Sequence, residues 1–145
     1  MRSYTDHDDG RQSGMTDVHR MRFGLPVAQR VELLPGFAPA GSLVSSAGDM
    51  SRYLAMLLAE GAGPGGQVVS QQGVAQLLAP VAPLRCFKLG AADFEFRYGE
   101  GWLVGPFGAA TDAHWHQGAL APFEAWMVLL PDTKQTVVLL INANS

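Results

Sequence analysis

Residues 112–142, DAHWHQGALAPFEAWMVLLPDTKQTVVLLIN, contain three strand-like segments separated by short connections. The segments near 112–117, 123–130 and 135–142 have the length of β-strands, and 118–122 and 131–134 are too short to hold a crossover helix. We therefore predict three antiparallel strands joined as a meander. The middle segment is apolar on both faces apart from Glu124, which indicates that both of its faces are covered.

A further strand is predicted just upstream of these three. From Asp93 onward the apolar residues alternate, with Phe94, Phe96 and Tyr98 on one face. Trp102 and Val104 continue the pattern beyond a pair of glycines, which suggests a β-bulge within one strand. Residues 93–142 are therefore predicted to form about four antiparallel strands.

Residues 45–80 have a helical pattern instead. Ser46 is placed to cap a helix whose apolar residues recur at helical spacing, and Gly61 is placed to end it. Ser70 is placed to cap a second, shorter helix that ends before Pro80. By contrast, residues 1–44 contain many glycines and prolines and little periodicity, so we predict an irregular excursion there. Together these segments predict one α+β domain, an antiparallel sheet with packed helices.

Composition excludes several classes of protein. The chain has 145 residues with a net charge of −3 and only two lysines, so it lacks the basic patch that nucleic-acid binding requires. No apolar stretch approaches the roughly 18 residues of a membrane-spanning helix. The first nine residues contain no apolar segment of the kind found in signal peptides. We expect no nucleic-acid partner, no membrane span, no cofactor and no bound metal.

One metal-site hypothesis nevertheless remains open. Asp112, His114 and His116 alternate along a predicted strand and so share one face. A zinc site needs at least three protein ligands, and His7, His19 or water would have to complete it. The alternative is that one histidine is packed and the other lies at a strand end.

The usual signatures of a serine nucleophile are absent from the sequence. There is no Gly-x-Ser-x-Gly, no Ser-x-x-Lys and no Tyr-x-Asn. Ser45 and Ser46 are better explained as helix-capping residues than as nucleophiles, because a capping hydroxyl is already bonded to backbone N–H groups.

Five segments nevertheless resemble, in the same order, the C-terminal part of the serine β-lactamase-related hydrolases, which include class C β-lactamases, penicillin-binding-protein-like peptidases and esterases. The likeness spans nearly the whole chain. Residues 39–54, PAGSLVSSAGDMSRYL, are similar to the family's P-A-G-x-x-x-S-S-A-x-D-M-x-x-[FY]-L pattern. The other four segments are 69–73 (VSQQG), 98–102 (YGEGW), 116–118 (HQG), and 130–132 (LPD) with 137–142 (VVLLIN).

The resemblance implies a fold, a reaction and a site. The fold would be the C-terminal part of a β-lactamase/transpeptidase-like domain, and the reaction would be acyl-enzyme hydrolysis of an ester, peptide or β-lactam. His116 would replace the lysine of Lys-Thr-Gly, which favours an ester or peptide substrate. Gly118 would allow close approach of substrate, and the Ala119 N–H would be an oxyanion-hole donor. Gln117 departs from the family's commoner Gly or Ser at that position.

The missing motifs imply where the remaining chemistry lies. We expect the nucleophile and base upstream of Met1, so that no catalytic residue lies in this chain, which would be an inactive fragment when alone. The family resemblance suggests a periplasmic, secreted or membrane-anchored full-length protein. Two alternatives remain, a non-catalytic binding module that self-associates through an exposed apolar sheet, and the metal-binding protein described above.

Overall fold

The computed structural model of this chain describes residues 3–30, 36, 38–84, 88–89, 92–93 and 96–144. Within them lie four helices, α1 (His7–Gln12), α2 (Ala38–Gly41), α3 (Ala47–Leu58) and α4 (Gln71–Leu78). The first seven strands are β1 (Val18–Arg22), β2 (Leu25–Gln29), β3 (Ala62–Gly63), β4 (Gly66–Gln67), β5 (Ala82–Leu84), β6 (Lys88–Leu89) and β7 (Ala92–Asp93). The others are β8 (Phe96–Tyr98), β9 (Leu103–Phe107), β10 (Ala110–Leu120), β11 (Phe123–Leu130), β12 (Gln135–Ile141) and β13 (Ala143–Asn144).

The main sheet has six strands in the order β12-β11-β10-β9-β8-β5. Its strands β8 to β12 are neighbours in both sequence and space, as expected of an antiparallel meander, and β5 pairs antiparallel with β8 at the far edge. A separate three-stranded sheet has the order β13-β1-β2. Helices together with antiparallel strands confirm the predicted α+β class.

The helix α3 forms where its capping and apolar pattern predict. The backbone N–H of Asp49 donates to Ser46 Oγ at 3.1 Å, which satisfies one of the free N–H groups of the first turn. Leu54 and Leu57, at helical spacing, are buried. Beyond the helix, Gly61 has a φ of +90° and donates its N–H to Met56 O at 2.9 Å, which closes the C-terminus.

The helix α4 is also capped as predicted. Ser70 Oγ accepts from the N–H of Gly73 at 3.0 Å, and Val74 is the buried residue of its inner face. The glycine-rich connection between α3 and α4 carries the two short strands β3 and β4, which pair antiparallel around its turn.

The expectation of an irregular excursion over residues 1–44 is corrected by α1, β1, β2 and α2. Asp6 caps α1 by accepting the N–H of Asp8 at 2.7 Å. Phe23 and Gly24, with φ values of +50° and +80°, form the two-residue turn of a β-hairpin. Strand β1 then pairs parallel with β13 near the other end of the sequence, and no local pattern predicts such a partner.

The predicted bulge at the glycine pair is also wrong. Strand β8 ends at Tyr98 and β9 begins at Leu103, and the two pair antiparallel with Arg97 opposite Val104. The chain reverses at Gly101, which has a φ of +85°. A register shift occurs instead in β10, between Ala110 and Ala113. Phe94, which belonged to the predicted strand, lies outside the described residues.

Two compact units make up the chain. One comprises Met1–Met50, Gln117–Trp126 and Val138–Ser145, and the other comprises Ser51–His116 and Met127–Val137. In the described part of the first unit, Val18 is a buried apolar side chain, at 2% exposure. The second unit has the larger apolar core, formed by Leu54, Leu57, Val74, Phe96, Trp102, Val104, Ala113, Trp115, Val128 and Leu129. Of the helices described here, none has the length and apolar character needed to cross a membrane.

Candidate functional site

The four predicted site residues are consecutive on the strand β10. His116 is half-buried, whereas Gln117, Gly118 and Ala119 are exposed. The strand therefore passes from a packed segment to an exposed one within a few residues. The assignment of these residues to a substrate site remains a prediction.

Trp115 anchors the packed part of the strand. Its ring lies edge-on to Phe96 of β8, with ring centroids 5.0 Å apart, and is tilted against Phe107 of β9 at 5.6 Å. Edge-to-face aromatic pairs of this kind contribute about 0.5–1.5 kcal/mol beyond burial. Because successive side chains of a strand point to opposite faces, anchoring Trp115 directs the side chain of His116 to the other face.

His114, which precedes Trp115 on β10, is a buried titratable residue. It is 8% exposed, and its Nδ1 has no hydrogen-bond partner among the described residues. Its Nε2 lies 4.0 Å from Asp112 Oδ1. Burial lowers the pKa of the His114 imidazole, and the Asp112 carboxylate partly opposes that shift. The neutral imidazole is therefore favoured, and a buried N atom without a partner leaves a cost in the folded state.

The structure does not bring a metal-ligand set together in the described part of the chain. No group of three or more His, Cys, Asp or Glu side chains there is placed to hold a metal ion. The Asp112 side chain is 60% exposed, while His114 is buried. His19 is half-buried on β1, and the side chain of His7 lies outside what the structure describes.

The exposed part of β10 extends past its neighbour β9. The described register of the two strands ends where Trp115 lies opposite Leu103, and Leu103 is the first residue of β9. Strand β9 is therefore not paired with Gln117, Gly118 or Ala119. A Cβ added at Gly118 would meet no atom within 4 Å. Among the described residues, open space at Gly118 and a strand edge that β9 does not cover together form a surface on which an extended or planar ligand can lie.

Two features of this segment have no signal in the sequence. The contacts of Trp115 with Phe96 and Phe107 depend on the register of three strands. The unpartnered Nδ1 of His114 likewise depends on which atoms surround it once the sheet has formed.

Comparison with known proteins assigns the family. No curated protein matches this chain. The family profile described as Beta-lactamase matches residues 2–145, which is nearly the entire sequence and includes all five segments of the predicted resemblance. The chain therefore belongs to the Beta-lactamase family, whose members are serine hydrolase-like.

Proposed function

We propose that this chain forms the carbonyl-binding wall of a serine hydrolase active site, with the Ala119 N–H as an oxyanion-hole donor. The observation that carries the proposal is the exposed run Gln117–Ala119, which continues beyond the end of β9 beside open space at Gly118. Such a donor contributes about 10²- to 10³-fold to the rate of an acyl transfer when a nucleophile is present.

The direction of the Ala119 N–H supports this role. Only Ala121 and Pro122 separate β10 from β11, and the residues that flank a two-residue hairpin connection usually form a hydrogen-bonded pair. Leu120 would then direct its N–H toward β11. Because alternate amides along a strand point to opposite edges, the N–H of Ala119 would point to the edge that β9 leaves unaccompanied.

His116 is proposed to shape the choice of substrate. By family likeness it replaces the lysine of the Lys-Thr-Gly motif of β-lactamases, which favours an ester or peptide over a β-lactam. An imidazole both donates and accepts hydrogen bonds, whereas a lysine ammonium only donates and always carries charge near neutral pH. His116 is half-buried and directly precedes the exposed run Gln117–Ala119 on the same strand, which supports this role.

We further propose that the 145-residue polypeptide binds such a carbonyl without hydrolysing it. The sequence contains no Ser-x-x-Lys and no Tyr-x-Asn. Backbone donors orient and polarise a carbonyl, but turnover requires a nucleophile and a base that activates it. The serine would therefore come from a segment outside these residues.

The test is an amide NMR titration of the ¹⁵N-labelled chain with an aryl ester and, separately, with a penicillin. We expect the largest shift at the Ala119 amide and a stronger response to the ester. Ala119→Pro removes the donor and should abolish the ester-induced shifts at the neighbouring Gln117 and Gly118 amides. A titration that leaves the Ala119 amide unmoved would overturn the oxyanion assignment.

A parallel assay for release of acid product tests the inactivity. We expect no turnover above that of buffer. Product release that disappears in a variant of one of the chain's own serines would show that the nucleophile lies within these residues and would overturn that part of the proposal.

The exposed edge strand supports a second candidate, a binding module that self-associates. Strand β12 is an edge of the six-stranded sheet, and Val137 and Leu139 on it are 48% and 47% exposed. Uncharged apolar edge strands pair readily with a second chain. Light scattering should then report a dimer that Leu139→Lys converts to a monomer, and a monodisperse monomer for the unmodified chain would count against this candidate.

A further inference from the structure

The hairpin formed by β1 and β2 carries an exposed apolar end, here called the hairpin tip, residues 20–27. Phe23 is fully exposed at 105%, Leu25 is 68% exposed, and Met21 and Val27 are 41% and 42% exposed. Large apolar side chains grouped in this way on a protein surface mark interaction sites. The hairpin tip therefore has the composition of a contact surface.

The hairpin tip extends beyond the described pairing with the neighbouring strand β13. The described pairing of β1 with β13 involves only His19 and Arg20. From Arg20 to Phe23 the ribbon advances three residues, which at about 3.3 Å per residue is roughly 10 Å. That reach is comparable with the roughly 5–10 Å to which amphipathic segments enter a lipid headgroup region.

The charge around the hairpin tip is positive. In the antiparallel register, Arg20 lies opposite Val27 and Arg22 lies opposite Leu25, and residues paired across strands share one face. The two guanidinium groups therefore stand among apolar side chains. Residues 18–30 contain three arginines and no acidic residue, although the whole chain has a net charge of −3.

This combination fits an anionic lipid surface. Arginine side chains bind lipid phosphates, and aromatic side chains favour the interface between headgroups and acyl chains. A fully exposed ring at the end of a protruding turn can enter such an interface without a preformed groove in the partner. The base of the same hairpin is secured in the protein, since Val18 is only 2% exposed.

We propose that the hairpin tip docks this chain peripherally on anionic lipid, with Phe23 and Leu25 in the interface and Arg20 and Arg22 on lipid phosphates. The proposal does not depend on the carbonyl-binding role of β10, because no residue of the hairpin tip belongs to β10.

Vesicle co-sedimentation of the purified chain tests the proposal. We expect binding to phosphatidylcholine vesicles that contain about 30% phosphatidylglycerol, little binding to phosphatidylcholine alone, and release at about 0.5 M salt. The Arg20→Gln/Arg22→Gln variant should bind the anionic vesicles about 30-fold more weakly, since each arginine near the surface contributes about fivefold. Phe23→Ser/Leu25→Ser should weaken binding at least about tenfold.

Matched controls separate the hairpin tip from general charge and apolar exposure. Val68 and Val81 are 67% and 71% exposed elsewhere, so Val68→Ser/Val81→Ser removes exposed apolar surface outside the hairpin tip and should leave binding unchanged. Arg52→Gln/Arg97→Gln removes the same charge and should also have little effect. All variants are compared only after their circular dichroism matches that of the parent chain.

Three results would overturn the proposal. They are no binding to the anionic vesicles, equal binding to both vesicle types, or hairpin-tip variants that bind no worse than their controls. A chain that is dimeric without lipid and becomes monomeric on Phe23→Ser/Leu25→Ser would show that a second copy, not lipid, occupies the hairpin tip.

Discussion

Replacing Gly118 with alanine should affect folding and ligand binding in opposite directions. A Cβ at this position meets no atom within 4 Å, and Gly118 does not have the positive φ that disfavours other residues. Alanine therefore fits in the folded chain without strain, and it lowers the conformational entropy of the unfolded chain. The expected gain in unfolding free energy is about 0.4–1 kcal/mol, which for a chain of this length raises Tm by roughly 1–4 °C.

The same methyl group should reduce ligand binding, because it occupies the space that we assign to the substrate carbonyl. Urea unfolding measures the first effect, and the shift of the Ala119 amide on adding an aryl ester measures the second. Gly65→Ala is the matched control, since Gly65 also has open space and no positive φ. It should stabilise the chain similarly and leave ligand binding unchanged.

Two results would refute this reasoning at different points. A loss of more than about 1 kcal/mol on Gly118→Ala would mean that the space at Gly118 is not open in the folded protein. A stabilised variant that binds the ester as well as the parent does would mean that the ligand does not lie against Gly118.

Three further changes test a buried histidine, a close backbone approach and a helix cap. Because burial lowers the folded-state pKa of His114 below its ordinary 6.5, the unfolded chain binds the proton first as pH falls. Urea unfolding at a series of pH values should therefore show the unfolding free energy decreasing from about pH 6.5 toward the folded pKa, by at most about 1.4 kcal/mol per pH unit. His114→Gln should flatten this slope, and an unchanged slope would contradict its assignment to His114. Gly99→Ala places a Cβ 2.5 Å from the backbone atom Ala79 O, so we expect the unfolding free energy to fall by about 1–3 kcal/mol. A Tm within roughly 1 °C of that of the parent chain would contradict this expectation. Ser46→Ala removes the cap of α3 and should cost about 1 kcal/mol in urea unfolding, whereas Ser45→Ala serves as its neighbouring control.

The features that were predicted from the sequence are those whose causes are local. The start of α3 depends on Ser46 and the N–H of Asp49, three residues away, and its buried face depends on spacing within a few turns. The strands near 123–130 and 135–142 correspond to β11 and β12 because short connections constrain their order. The strand predicted near 112–117 corresponds to β10, but the prediction that 118–122 form the connection is wrong, because Gly118, Ala119 and Leu120 belong to β10.

The glycine pair shows where local reasoning failed. Alternating residues on both sides of Gly99 and Gly101 are consistent with one bulged strand or with two strands and a turn. The positive φ of Gly101 and the pairing of Arg97 with Val104 show that the chain forms two strands joined by a turn. The sequence alone does not distinguish these two arrangements, because the difference in free energy between them depends on how the strands pair in the folded sheet.

By itself, then, the amino-acid sequence determined the α+β class, the two capped helices, the meander and the family, since these depend on periodicity, capping and motif order. Tertiary structure decided the parallel pairing of β1 with β13, which joins His19 to Ala143 across most of the chain. It also decided that the pairing of β9 with β10 ends at Leu103 and Trp115, before Gln117–Ala119. Such features arise from contacts between residues distant in sequence, whose free energy appears only when the strands are packed together.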